Sequence, residues 1–300
     1  MYRCYNPKRF IELLFIDMIV FAVCAIFFFI GKAVFSSSAD NYSDKPVFLP
    51  VIMYHSVCQK SPNEYVVTPE QAESDLLWLK KNGYETVTAQ ELVDYTSGKG
   101  ELPEKPVMIT LDDGFYNNLS EFLPLLEKYD MSAIISVVGK YTSDNAAADP
   151  HVTNYSYLTW EDISSLLNSG RIEIGNHTYD MHSINNGRRG CAKLTYETNE
   201  EYAEKFKADI GLLQTELHMN TGASPITFAY PFGSLSRESI PLLRDIGIKM
   251  TLTCYESYNY ITRNPDCLFG INRYNRSGAY STEEFMQMLT AEPQSAIKTE

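Results

Sequence analysis

The chain has 300 residues, 44% of them hydrophobic and 21% charged, an ordinary globular composition that excludes disorder for most of its length. Lys and Arg number 25 against 38 Asp and Glu, and a net charge of −13 excludes nucleic acid as a natural partner, because such a surface repels phosphate backbones. The charge is uneven: residues 1–32 hold Arg3, Lys8, Arg9 and Lys32 against Glu12 and Asp17, a balance of +2 that leaves −15 on the rest.

The first predicted element is residues 11–30, IELLFIDMIVFAVCAIFFFI, which as a helix spans roughly 30 Å, the thickness of a bilayer core. Arg3, Lys8 and Arg9 precede it, so the N-terminus is expected inside and the bulk of the chain outside the cell membrane. Asp17 within the run costs a few kcal/mol at the bilayer centre and less toward its edge. The alternative is a signal peptide cleaved near Ser37 and Ala39, giving a secreted chain without residues 1–39, but the apolar region of such peptides is only about 7–15 residues long. The expected organisation is therefore a cytoplasmic N-terminus and single-pass anchor at 1–32, a linker at 33–46 and one domain at 47–300. Cys58, Cys191, Cys254 and Cys267 lie in that domain, where three disulfide pairings or free thiols are equally consistent with its size.

Beyond the linker, strands are predicted at 47–54, 107–111, 133–138, 172–175, 226–230, 248–254 and 268–273. Helices are predicted between them at 69–82, 119–129, 161–168, 195–219 and 236–245. Thr159, Ser236 and Ser281 stand where N-caps are wanted, with Asp162, Ser239 and Glu284 three residues on. Apolar strands alternating with helices mean parallel strands buried on both faces, in a barrel or an open doubly wound sheet. Both architectures place active sites at the carboxyl ends of the strands.

Those ends carry the chemistry. VMITL at 107–111 runs into Asp112, Asp113 and Gly114; as a turn the triplet is unremarkable, but adjacent carboxylates repel and favour a cation nearby. RIEIG at 171–175 leads to His177 and, in HTYDMH, to His182. Two neutral imidazoles and one carboxylate suit a zinc-like divalent ion with a position left open for water. The first predicted strand ends at His55, whose spacing alone suggests a packed histidine. Tyr230, Pro231, Phe232 and Gly233 follow the strand at 226–230; the proline stops it and the glycine permits a close backbone approach.

TLDDG at 110–114, the paired histidines of 177–182 and YPFG at 230–233 resemble the first three motifs of polysaccharide deacetylases with a NodB-type domain, carbohydrate esterase family 4, over about residues 47–292. The resemblance implies a distorted (β/α) barrel of seven or eight parallel strands after one transmembrane helix. It implies Asp112 as catalytic base, Asp113, His177 and His182 as ligands of a divalent metal, usually Zn2+, and an oxyanion loop at Tyr230, Pro231, Phe232 and Gly233. The commonest second motif, H-[ST]-x-x-H, is one residue shorter than HTYDMH, whose length matches the branch acting on the poly-β-1,6-N-acetylglucosamine of biofilms. In that branch an early strand ending in M-Y-H supplies the catalytic acid, which implies this role for His55; no histidine follows His218 to provide the late leucine-x-histidine motif. Ala229 stands where the family usually has an arginine bracing the base, and Arg273 and Arg276 are the candidates to replace it. The implied activity is removal of N-acetyl groups from an N-acetylated extracellular polysaccharide. An acetyl-ester esterase of the xylan type and an inactive surface carbohydrate-binding module are the rival readings.

Overall fold

Runs of Ile, Val, Leu and Met too short for helices form a parallel sheet at the centre of the molecule. The computed structural model describes residues 45–145 and 151–291. The apolar run 11–30 and most of the expected linker lie outside them; among the described residues no helix is long and apolar enough to cross a membrane. The sheet strands are β1 (Val51–Tyr54), β2 (Glu85–Thr86), β3 (Pro106–Leu111), β4 (Ala133–Val137), β5 (Ile172–Asn176), β6 (Thr227–Ala229), β7 (Met250–Leu252), β8 (Phe269–Ile271) and β9 (Tyr274–Asn275). Their order is β8-β7-β6-β5-β4-β3-β1-β9, with β2 against the start of β3, and every pairing within the sheet is parallel. The two edge strands β8 and β9 are consecutive in the chain, separated only by Asn272 and Arg273, so the sheet curls into a half-barrel whose edges are two parts of one stretch.

Helices α1 (Pro69–Lys81), α2 (Ala89–Thr96), α3 (Leu123–Tyr129), α4 (Gly139–Asn145), α5 (Trp160–Asn168), α6 (Asn199–Thr221), α7 (Ser239–Asp245) and α8 (Thr282–Thr290) are distributed among the strands. Alternate strand residues point to opposite faces. Thus Ile52, Ile109, Leu111, Ile135 and Ile174 pack outward with Leu76, Phe122, Leu166, Leu213 and Phe285, while Val51, Met108, Ile134, Ala229 and Leu252 form a separate inner cluster. Each such residue contributes roughly 1.5–3 kcal/mol on full burial.

Several boundaries differ from expectation. The strand predicted at 47–54 is broken before Val51, because Pro50 cannot donate to a ladder; Val47–Phe48 pairs antiparallel with Tyr260–Ile261 instead. Thr159 and Ser281 do cap helices, in complete capping boxes with Asp162 and Glu284. Ser236 does not: α7 begins at Ser239, and the Ser236 hydroxyl accepts a hydrogen bond from the Lys193 N–H. A π-turn, Asn118–Phe122, opens the helix predicted at 119–129. All four cysteines of the domain are free thiols.

Candidate active site

Strand parity decides which side chains reach the site. In β3, Val107, Ile109 and Leu111 face outward and Met108 inward, so Thr110 and Asp112 are the next inward positions. By the same count β5 turns His177 inward and β1 turns His55 inward. Asp112, His177 and His55 line one cleft of about 430 Å³ at the carboxyl ends of the strands, together with Asp113, His182, Phe232 and Cys254. Asp113, next to an inward residue, should face away. Its left-handed backbone, φ 70°, returns its carboxylate to the cleft. Thr178 (φ 74°) and Phe232 (φ 56°) are likewise left-handed, so the loops after β3, β5 and β6 each hold one strained residue, at a cost on the order of 1–3 kcal/mol apiece.

Asp113, His177 and His182 converge. Asp113 Oδ1 lies 3.2 Å from His182 Nε2 and 3.7 Å from His177 Nε2, and one donor atom from each of the three lies within 4.8 Å of the others. Ligands about 2.05 Å from a tetrahedral ion stand about 3.3 Å apart, so these separations suit one. The outward nitrogens are engaged: His177 Nδ1 is 2.8 Å from the Ala229 carbonyl, and His182 Nδ1 is 3.1 Å from the Tyr141 hydroxyl, which itself donates to the His182 carbonyl at 3.3 Å. The Ala229 carbonyl puts the His177 proton on Nδ1, and a Tyr141 hydroxyl donating to the His182 carbonyl can accept from His182 Nδ1, a pairing that leaves both Nε2 lone pairs facing Asp113. Asp113 Oδ1 is buried with no hydrogen-bond donor aimed at it. Three converging lone pairs repel unless a cation sits between them, so the donor set fits a divalent ion. Burial holds the His177 imidazole below its usual range, in the neutral form a ligand requires.

Of the two candidate arginines, Arg273 reaches Asp112, through a two-pronged contact of Nη1 to Oδ1 at 2.8 Å and Nη2 to Oδ2 at 2.7 Å. Both side chains are almost fully buried. Burial alone would raise the Asp112 carboxyl; the Arg273 guanidinium outweighs it and holds the group well below the carboxylate range. Arg276 does not touch Asp112. Three residues on along an extended chain it faces the other way, pairing with Asp75 of α1 at 2.6 and 3.1 Å.

The 230–233 loop also divides. Phe232 lines the cleft, its ring 4.7 Å from that of His182. Tyr230 is not a cleft residue: it faces outward, fully buried beside Phe228, with its hydroxyl 2.7 Å from Ser239. Its N–H is spent on Leu252 and that of Gly233 on the Tyr230 carbonyl, while Pro231 has none. His55 stands edge-on to Tyr65, ring centroids 4.9 Å apart, and its carbonyl accepts from Asn118 Nδ2 at 2.9 Å. Asn118 and Tyr141 are site residues that spacing does not reveal. The asparagine pair after DDG is a weak signal, and one tyrosine among 21 is none.

Residues 99–251, just over half the chain, match the polysaccharide deacetylase family. The Bacillus subtilis protein YxkH, named as a polysaccharide deacetylase, is 30% identical over 217 residues, covering 72% of this chain and 68% of its own. The poly-β-1,6-N-acetyl-D-glucosamine N-deacetylase of Escherichia coli K12 is 25% identical over 222 residues, 67% of this chain but only 33% of that longer protein. A de-N-acetylase of Aggregatibacter actinomycetemcomitans superposes with a TM-score of 0.69 at 22% identity, over 81% of this chain and 100% of that one, and so shares its fold. The curled parallel sheet, the carboxylate–imidazole cleft at its carboxyl end and these matches define a hydrolase fold of one class. The chain belongs to the polysaccharide deacetylase family.

Proposed function

We propose that this protein is an extracellular, metal-dependent N-deacetylase of an N-acetylglucosamine polysaccharide, with the β-1,6-linked polymer as its class, working from a (β/α) barrel domain anchored through residues 11–30 with the N-terminus inside the cell. One observation carries the reading: the Arg273-bound Asp112, His55 and the Asp113, His177, His182 set all open into the same cleft. The name of the E. coli relative, the six-residue span from His177 to His182 and the early Met53-Tyr54-His55 strand end support the β-1,6-linked substrate.

Asp113, His177 and His182 hold the ion, and two nitrogens with one oxygen favour zinc. When bound, such an ion polarises the acetyl carbonyl and lowers the pKa of a water from about 16 toward 7. Asp112 takes the proton of the attacking water. The Arg273 contact makes it a weaker base but keeps it ionised and fixed in aim, which suits a group that must act without reorienting. The Phe232 N–H, the remaining donor of its loop, serves the carbonyl oxygen as that oxygen gains charge. His55 protonates the departing amine, which cannot leave as an anion.

The test is acetate release from β-1,6-linked N-acetylglucosamine oligomers, chitin oligomers and acetylxylan by the purified protein. Release is expected from the first, abolished by a chelator and restored by zinc. Release from acetylxylan alone would make the protein an ester hydrolase, and protein that takes up no zinc and stays inert on all three with zinc supplied would make it a carbohydrate-binding module.

A further inference from the structure

The two histidines of the triad are held in different ways. His177 follows directly on β5, its side chain is only 2% exposed and Ala229 fixes its ring. His182 sits at the far end of a six-residue loop with a left-handed Thr178 inside it, so its distance from His177 depends on whatever holds that loop.

Two helices outside the family motifs hold it. From α6, Asp209 accepts from two consecutive loop N–H groups, Tyr179 at 2.8 Å through Oδ1 and Asp180 at 2.9 Å through Oδ2. From the first turn of α4, the N–H groups of Gly139 and Lys140 donate to the carbonyls of Thr178 and Tyr179 at 3.1 and 2.8 Å. One residue further along α4, the Tyr141 hydroxyl bonds both Nδ1 and the carbonyl of His182. A Cβ at Gly139 would fall 2.4 Å from the Tyr179 ring, which shows how closely α4 is seated on the loop.

We propose that Asp209 and Tyr141 are positioning residues of the metal site: Asp209 sets the length of the loop between the two imidazoles, and Tyr141 fixes the tautomer and tilt of His182. The inference rests on the metal reading above and assigns it two residues that neither touch substrate nor bind the ion. Partners of this kind typically change metal affinity by about 10- to 100-fold.

The test uses the full chain and zinc alone, titrated in competition with a chromophoric chelator, beside the melting temperature of the zinc-free protein. Tyr141→Phe and Asp209→Ala are each expected to bind zinc about 10- to 100-fold more weakly than the parent. Asp209→Asn, which keeps one acceptor, should fall between. At saturating zinc, kcat in these variants should fall by a smaller factor than zinc affinity does, because the effect runs through the ion's site. Zinc affinities within twofold of the parent in Tyr141→Phe and Asp209→Asn overturn the inference, as does a loss confined to the zinc-free melting temperature. If the parent itself binds no zinc, the metal reading fails and this inference with it; parent binding with unchanged variants defeats the inference alone.

Discussion

Asp112 and Asp113 are neighbours that the backbone assigns to different partners. One continues the inward register of β3 and meets a buried guanidinium; the other leaves that register through a left-handed turn and meets two imidazoles. In the mechanism proposed above, the division separates proton transfer from ligation, so one role should be removable without the other. Asp112→Asn is expected to bind zinc within a few-fold of the parent while its kcat falls by about 100-fold or more, checked by acetate release and zinc competition on the same preparation. Full turnover in that variant would mean that another group takes the proton. Much of this was readable from sequence, since DDG and the two histidines follow apolar strands. The choice between Arg273 and Arg276 was not, because it depends on the parity of a two-residue strand too short to leave a pattern. Nor was the inertness of the Tyr230 side chain, which motif position suggests is functional and strand parity turns into the core.

At the scale of elements, the helices are started by explicit hydrogen bonds. Thr68, Thr88, Thr159, Thr198 and Ser281 all form capping boxes, each contributing on the order of 1 kcal/mol. Sequence located α1, α3, α5, α6 and α7 and missed α2 and α4; α4, GKYTSDN, carries no apolar repeat, and α2, AQELVDYT, only a short one. Between the loop after β5 and α6, Glu197 is buried and accepts from Arg188 Nη2 on both oxygens, at 2.7 and 2.9 Å, and from Lys205 Nζ at 2.9 Å. Burial works against its charge, but the hydrogen bonds from Arg188 and Lys205 prevail and lower the carboxyl from 4.5 to about 2. A carboxyl depressed in the folded state stabilises above its unfolded pKa, and that stability is lost as pH falls toward the folded value. Glu197 therefore stabilises the protein at neutral pH and ceases to do so between about pH 4.5 and 2. Glu197→Gln should cost about 2 kcal/mol at pH 7 and flatten the acid limb of stability in urea titrations across that range. An unchanged limb would show that the depressed carboxyl is not coupled to folding.

At the scale of the molecule, a second buried ion pair ties the beginning of the domain to its end. Asp75 of α1 accepts from Tyr54, Arg276 and Thr282, and both charged side chains are inaccessible to solvent. Removing one partner of such a pair leaves a stranded charge, so Arg276→Met should lose about 3–5 kcal/mol of stability. Zinc affinity and kcat should be unchanged in the folded protein, as measured by denaturant unfolding beside the activity assay. Zinc affinity that dropped with stability would imply that this pair also supports the cleft.

The stretch from β8 to β9 forms both rims of the curled sheet and carries Arg273 at its midpoint. The first sheet strand, β1, thus acquires its outer neighbour more than 200 residues later in the chain, and Asp112 meets its guanidinium only then. A polypeptide emerging from its N-terminus can form the middle of the sheet early, but a cleft with its aspartate held in place is among the last things it makes, because distant pairings are slow to close. A chain that stops short of residue 269 would keep the Asp113, His177 and His182 donors and lack the guanidinium that holds Asp112; under the proposed mechanism it would be a nascent form able to capture an ion before it can turn over substrate.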